Sequence, residues 1–225
     1  MELRLDGTHY PLETLGPGKR LGVWFQGCTL ACAGCMSRHT WDPEAGTRTT
    51  VAEVLATWRR ALADGADGLT VSGGEPLQQA AALAELLAGA ARLRDGARRH
   101  EGSAGPHPAD LLVYTGYDTG ELTPERRSAL GGADAVVTGR FRVAEPTRLP
   151  WRGSANQRIV PLTPRGALRY APYLAGESTG PRLQAVSGED GGLRLYGVPL
   201  RGELAALERR LRDDGTGLTE RSWRP

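Results

Sequence analysis

Cys28-Thr29-Leu30-Ala31-Cys32-Ala33-Gly34-Cys35 gathers into one short stretch all 3 cysteines of a 225-residue chain. The spacing is C-x3-C-x2-C. Iron-sulfur clusters are held by cysteine thiolates and ordinarily take four, so three on one loop can grip three corners of a cubane and leave the fourth iron open. An iron with an open position is where a substrate or cosubstrate binds. Two plainer readings stand beside this one. His39 added to the three cysteines makes a ligand set common for structural zinc. A disulfide with one leftover thiol is the other, although three crowded cysteines make a poor framework and no secretory signal precedes them.

Working outward, Leu21-Gly22-Val23-Trp24-Phe25 reads as a buried strand whose carboxyl end delivers the cysteine loop through Gln26-Gly27. Gly68-Leu69-Thr70-Val71-Ser72 is the next apolar run, and it ends in Gly73-Gly74-Glu75-Pro76. In parallel α/β folds ligands bind at the carboxyl ends of the strands. The cysteines and the Gly-Gly-Glu together resemble the radical S-adenosylmethionine (SAM) superfamily. Gly16-Pro17-Gly18-Lys19-Arg20, Trp24, Gln26-Gly27-Cys28, Cys32, Gly34-Cys35 and Thr40-Trp41 resemble more closely the activating proteins of anaerobic ribonucleotide reductase, among the glycyl-radical activases. Val113-Tyr114-Thr115-Gly116-Tyr117, Gly139-Arg140-Phe141 and Gly153-Ser154-Ala155-Asn156-Gln157-Arg158 are similar to later landmarks of that family. The resemblance covers about residues 16–160.

That resemblance implies a [4Fe-4S] cluster on Cys28, Cys32 and Cys35, with the methionyl amine and carboxylate of SAM on the open iron. It implies cleavage of SAM to a 5'-deoxyadenosyl radical that takes a hydrogen atom, most simply from a glycine of a partner glycyl-radical enzyme. An electron donor of flavodoxin or ferredoxin type is implied too. The alternative is a radical SAM enzyme that modifies a small molecule or a peptide. Gly34, Met36, Gly73, Gly74, Glu75 and Thr115 are the expected SAM residues, Glu75 through a charge-assisted contact, with Tyr114 a second choice for the ribose. Arg140 and Arg158 are candidate substrate contacts. Ser37 stands where the family usually has asparagine, and Thr138 where it tends to have an acid. With no further cysteine, an auxiliary cluster held by cysteine is excluded.

Composition bounds the remaining classes. The net charge is +2, from 28 basic and 26 acidic residues, and Lys19 is the only lysine. That balance gives no electrostatic case for nucleic acid or a membrane surface. No apolar run approaches the roughly 20 residues of a membrane span, and the start at Met1-Glu2-Leu3-Arg4 does not resemble a signal peptide, so a cytoplasmic location is expected.

In chain order, Leu3, Leu5 and Tyr10 suggest an N-terminal strand or hairpin. Thr50-Val51-Ala52-Glu53 is a capping-box pattern, and Val51, Val54, Leu55, Trp58 and Leu62 form one apolar helical face with Trp58 in the core. Leu77–Arg94 predicts a second helix stopping near Gly96, and residues 95–109, with His100 and His107, a polar loop. Leu111–Tyr114 is a third strand, Thr123-Pro124 opens a third helix, and Ala133–Val137 is a fourth strand. A long connection over 141–165 contains a short strand at Ile159-Val160, and long connections are usually functional or disordered. Beyond it, Leu183–Val186 and Leu193–Tyr196 flank Gly191-Gly192 as a hairpin, and Leu200, Leu204, Leu207 and Leu211 mark a terminal helix. The expected fold is an incomplete parallel (β/α) barrel over residues 1–165, with 166–225 a small C-terminal extension lacking chemistry of its own. Its open lateral side, lined by the 141–158 connection, would admit a loop of a folded partner.

Overall fold

The structure is a computed structural model that describes residues 1–100, 109–177, 180–188 and 192–217, with 98–100 described in backbone only. His107, Gly191 and the side chain of His100 lie outside the described residues. Seven strands make one sheet in the order β3-β1-β2-β4-β5-β6-β7. β1 (Glu2–Leu12) runs antiparallel to β2 (Arg20–Phe25) and to β3 (Thr47–Thr50). β2, β4 (Gly68–Gly73), β5 (Asp110–Tyr114) and β6 (Ala135–Thr138) are mutually parallel. The fold is thus mixed α/β with a large, parallel-rich sheet, open at β3 and β7 among the described strands.

Strand alternation assigns the two faces. Leu21, Val23 and Phe25 of β2, with Val71 and Val113, pack under α1 (Val51–Ala63) and α2 (Ala80–His100) through Val54, Trp58, Leu83, Leu86 and Leu87. Trp58 is fully buried, as expected of a core residue, and its indole donates to the Ala90 carbonyl at 3.1 Å. Trp24, one residue out of phase, faces the opposite side with Leu12 and Leu15. α1 and α2 therefore cover one face of the parallel strands, and Trp24 opens onto the other. The capping box forms as read: the Glu53 amide donates to Thr50 Oγ1 at 3.3 Å and the Thr50 amide to Glu53 Oε2 at 2.8 Å. α3 (Pro124–Ala129) likewise starts behind Thr123 with proline in its first turn.

Several elements depart from expectation. α2 runs through Gly96 to His100 instead of stopping there. A glycine inside a helix costs only about 1 kcal/mol against alanine, and Arg94 anchors the preceding turn to Asp134 at 2.6 Å. β7 (Arg158–Pro161) pairs antiparallel with β6, because the connection leading to it contains no crossover helix to restore a parallel direction. α4 (Pro164–Tyr170), unread in the sequence, bridges the expected division after residue 165 and puts Tyr170 in a buried cluster with Leu112, Val137 and Ile159. The hairpin forms as β8 (Leu183–Ser187) and β9 (Leu193–Gly197), and α5 (Glu203–Asp213) follows, starting after Leu200.

Candidate functional site

The carboxyl ends of β2, β4, β5 and β6 meet at one cavity of about 310 Å³ on the face opposite α1 and α2. β2 leads through Gly27, whose positive φ of 96° turns the chain into the cysteine loop. Backbone bonds from Gly27 to Thr40 (2.8 Å) and from Cys28 to Trp41 (3.0 Å) close the loop's base. Gln26 braces it from inside, its amide donating to the carbonyls of His39 and Asp42 at 3.1 and 2.8 Å. Within the loop Ala31 takes a left-handed φ of 47°, a conformation that L-residues other than glycine and asparagine rarely adopt. The Cys35 amide bonds back to the Cys32 carbonyl at 3.1 Å, and the Ser37 amide points at Cys35 Sγ from 3.4 Å.

Cys28, Cys32 and Cys35 are free, half-buried, and all on the cavity wall. Burial pushes the Cys28 and Cys32 thiols up, and backbone N–H groups, of Leu30 and Ala31 at Cys28 and of Phe141 at Cys32, act the other way. A coordinated metal removes a thiol's proton outright. Among the described residues, no three His, Cys, Asp or Glu side chains gather closely enough to hold a single metal ion. His39 instead faces Asp6, Nε2 to Oδ2 at 3.5 Å. His39 is thus turned away from joining the cysteines as a fourth ligand, and the three free thiols suit a cubane, which receives its thiolates at separate corners.

The expected SAM residues Gly34, Met36, Gly73, Gly74, Glu75 and Thr115 all line the same cavity. Their roles differ in detail from the expectation. Glu75 is buried, and its carboxylate accepts from the Leu77 amide (3.0 Å), the Thr115 hydroxyl (2.9 Å) and the Gly116 amide (2.7 Å). It ties the end of β4 to the end of β5, so its oxygens are already engaged. The Tyr114 hydroxyl is likewise spent on the Trp151 carbonyl at 3.0 Å. Gly74 is glycine because a Cβ there would stand 2.2 Å from the Gly27 carbonyl oxygen, and one on Gly73 would meet the Phe25 backbone at 2.4 Å. The glycine pair thus first of all seats β4 against the root of the cysteine loop. Gly34, at φ 74°, lies where a Cβ would press on Val143 at 3.3 Å.

The 141–158 connection reaches the cavity through Phe141, Trp151, Gly153 and Gln157. Arg140 and Arg158 do not form part of its wall. Arg140 pairs with Glu121 at 2.6 Å and remains 38% exposed, and Arg158 folds back onto the carbonyls of Ala155 and Gln157. Sequence reasoning missed the C-terminal contribution altogether: Leu195, Tyr196, Val198 and Leu204 line the cavity too. Their only signal was an aromatic in a hairpin, too common to read alone.

A parallel-rich α/β sheet whose strand ends present three free thiols to one cavity defines a protein built to hold a single iron-sulfur cluster. The chain belongs to the family described as "4Fe-4S single cluster domain", whose model matches residues 14–160. It is 32% identical to the anaerobic ribonucleoside-triphosphate reductase-activating protein of Vibrio cholerae, over 69% of this chain and 96% of that one. It is 30% identical to the protein of the same name from Enterobacteria phage T4, over 67% of this chain and 89% of the relative. Among solved structures it is similar to QueE from Escherichia coli, with a TM-score of 0.39 and 18% identity over 64% of this chain and 74% of that one. No helix among the described residues is long and apolar enough to cross a membrane.

Proposed function

We propose that this protein is a radical SAM activase: Cys28, Cys32 and Cys35 hold a [4Fe-4S] cluster, SAM takes the open iron, and a glycine of a glycyl-radical enzyme of the anaerobic ribonucleotide reductase type is the hydrogen donor. The observation that carries this reading is that the three free thiols share one cavity with the Gly73-Gly74 strand end. Held by Cys28, Cys32 and Cys35, the cluster would supply the electron for reductive cleavage of SAM, and SAM the radical chemistry by which a glycine hydrogen is removed. The chain's own residues orient and shield that chemistry. Glu75 locks the β4 and β5 ends together, so that the Gly73-Gly74 backbone is held rigid against the cysteine loop. Trp24, Tyr114, Phe141 and Trp151 give the cavity an aromatic wall that would shield the bound groups.

We read the open sheet as an incomplete barrel. The wall supplied by residues 141–157 would form the entrance for a loop of a folded partner, with Arg140, 38% exposed beside Glu121, as a candidate contact to it. The electron would come from a flavodoxin or ferredoxin-type protein. The test is anaerobic reconstitution, which should give about four irons per chain, and reduction in the presence of SAM and the partner enzyme. Appearance of a glycyl radical by electron paramagnetic resonance supports the reading. SAM cleavage stimulated only by a small metabolite or a precursor peptide would replace the activase role with a modifying one, and one tightly bound zinc without iron uptake would end both.

A further inference from the structure

The family match stops at residue 160, yet the chain beyond it returns to the site. β9 and the segment after it place Leu195, Tyr196 and Val198 on the wall of the cavity that holds the cysteines. This segment is fastened at defined points. The Tyr196 ring lies 4.6 Å from that of His9, nearly parallel at 12°, and 4.6 Å from that of Trp24 at 35°. Its carbonyl accepts from Thr14 Oγ1 at 3.1 Å. Gln184, across the hairpin from Tyr196, accepts from the Glu13 amide at 3.0 Å and donates to the Pro11 carbonyl at 2.7 Å. Val198 packs with Leu12, Leu15 and Trp24. The hairpin is therefore clamped over the carboxyl end of β1 and covers Trp24 on the face opposite α1 and α2.

Two features of the cavity make that wall a ligand contact. Its volume of about 310 Å³ is at the lower end of small-molecule sites, roughly 300–1,000 Å³, so a nucleoside-sized ligand that fills it must touch the hairpin. Apart from the cysteines, Glu75 is the only acid among the described lining residues, no arginine or histidine lines it, and the Glu75 carboxylate already accepts three hydrogen bonds from the protein. Six aromatic rings line it, those of Trp24, Trp41, Tyr114, Phe141, Trp151 and Tyr196. Purine faces and sulfonium cations both favour aromatic faces.

We propose that the C-terminal hairpin is a built-in wall of the SAM site, with Tyr196 a SAM-binding residue supplied from outside the family-matched segment. This rests on the SAM reading given above. The test is hydrogen exchange on the anaerobically reconstituted holoprotein with and without SAM. SAM should slow exchange several-fold both at residues 73–75 and at residues 193–198. Protection at 73–75 with none at 193–198 overturns this proposal and leaves the SAM reading standing, whereas protection at neither overturns both. In a second measurement, Tyr196→Ala should raise the KM for SAM in uncoupled 5'-deoxyadenosine formation about tenfold, the worth of one aromatic contact. Its kcat and iron content should stay at wild-type values, and Tyr196→Phe should restore the KM. An unchanged KM in Tyr196→Ala overturns the proposal, and if that variant does not fold, the exchange experiment on the natural chain decides.

Discussion

The Arg20 guanidinium meets the Asp110 carboxylate through two hydrogen bonds, Nη1 to Oδ1 at 2.9 Å and Nη2 to Oδ2 at 3.0 Å, with neither side chain reaching solvent. The pair joins the amino-terminal ends of β2 and β5, opposite the site. Burial by itself would lower the Arg20 pKa, but the Asp110 carboxylate reverses this and holds the guanidinium charged. The Arg20 side chain also reaches Thr70 at 2.6 Å and the carbonyls of Pro17 and Leu69. Asp110 in turn accepts from the Tyr170 hydroxyl and faces Arg169 at 3.6 Å. The Gly16-Pro17-Gly18 landmark is thus architectural: a Cβ on Gly16 would stand 2.6 Å from the Arg20 side chain it wraps.

The asymmetry of those partners makes a prediction. Removing one member of a buried pair costs about 3–5 kcal/mol, because it strands the other charge. Asp110→Leu leaves the buried Arg20 with neutral acceptors only, the Thr70 hydroxyl and backbone carbonyls, and no counter-charge, and should fall in that range. Arg20→Met leaves Asp110 with Tyr170 and Arg169, so its loss should be smaller. Urea unfolding of the two variants checks the order. Equal losses would mean that Tyr170 and Arg169 do not support the carboxylate.

Gly74→Val should remove the cluster and SAM binding together. Replacing a residue that served SAM alone would lose only SAM binding. The structure puts the Gly27 carbonyl oxygen 2.2 Å from the new Cβ, and backbone there cannot yield without moving Cys28. Iron analysis after anaerobic reconstitution is the measurement. Full iron content with SAM binding lost would return Gly74 to the purely cosubstrate role.

Glu75 gives a pH dependence. Its carboxyl lies above the ordinary value of 4.5; burial is the main cause, and hydrogen bonds from Gly116, Leu77 and Thr115 pull it partly back. The folded state therefore holds this proton more tightly than the unfolded chain does, so the associated stability is fully present below the unfolded pKa and is lost as pH rises through the folded one. Compared with Glu75→Gln, which does not titrate, the wild-type apoprotein should lose relative stability as pH rises from about 4.5. Urea titrations at several pH values test this. An advantage growing with pH would show that the carboxylate is the form the fold prefers.

What could be read from the sequence was local. The Thr50/Glu53 capping box, the alternation that buries Val23 and Phe25 on one face and Trp24 on the other, and the cysteine spacing each depend on residues within a few positions. The reversal of β7 against β6 depends on what does not occur over 139–157, and α4 is held by Tyr170 reaching Asp110, 60 positions away. The Tyr196 contact with Trp24 spans more of the chain still. Side-chain roles shifted for the same reason. Glu75 reads as free to meet a ligand, but Thr115 and Gly116, just past the end of β5, bond to its oxygens.

The Asn156-Gln157 pair leads to the last prediction. The Gln157 side chain accepts from the Gly153 and Ser154 amides at 2.7 and 3.3 Å and donates to the Gly139 carbonyl at 2.9 Å. Asn156 donates to the Arg140 carbonyl at 2.9 Å and accepts from the Ser154 hydroxyl at 2.7 Å. Together they tie the two ends of the connection across its base and hold Phe141 against the cysteine loop, where a Cβ on Gly34 would lie 3.5 Å from its ring. Gln157→Leu keeps the bulk, removes all three bonds and leaves the Gly139 carbonyl and two amides to find other partners, at about 1–3 kcal/mol for each group that stays buried and unpaired. The connection should then open locally before the sheet does. Exchange at residues 139–154 should quicken by an order of magnitude or more, since each 1.4 kcal/mol is tenfold, while exchange in β2 and β4 holds. With Phe141 released, the reconstituted cluster should bleach several-fold faster in air at unchanged initial iron content. If exchange quickens and bleaching does not, Phe141 gives the cluster no cover, and the brace serves only the shape of the entrance.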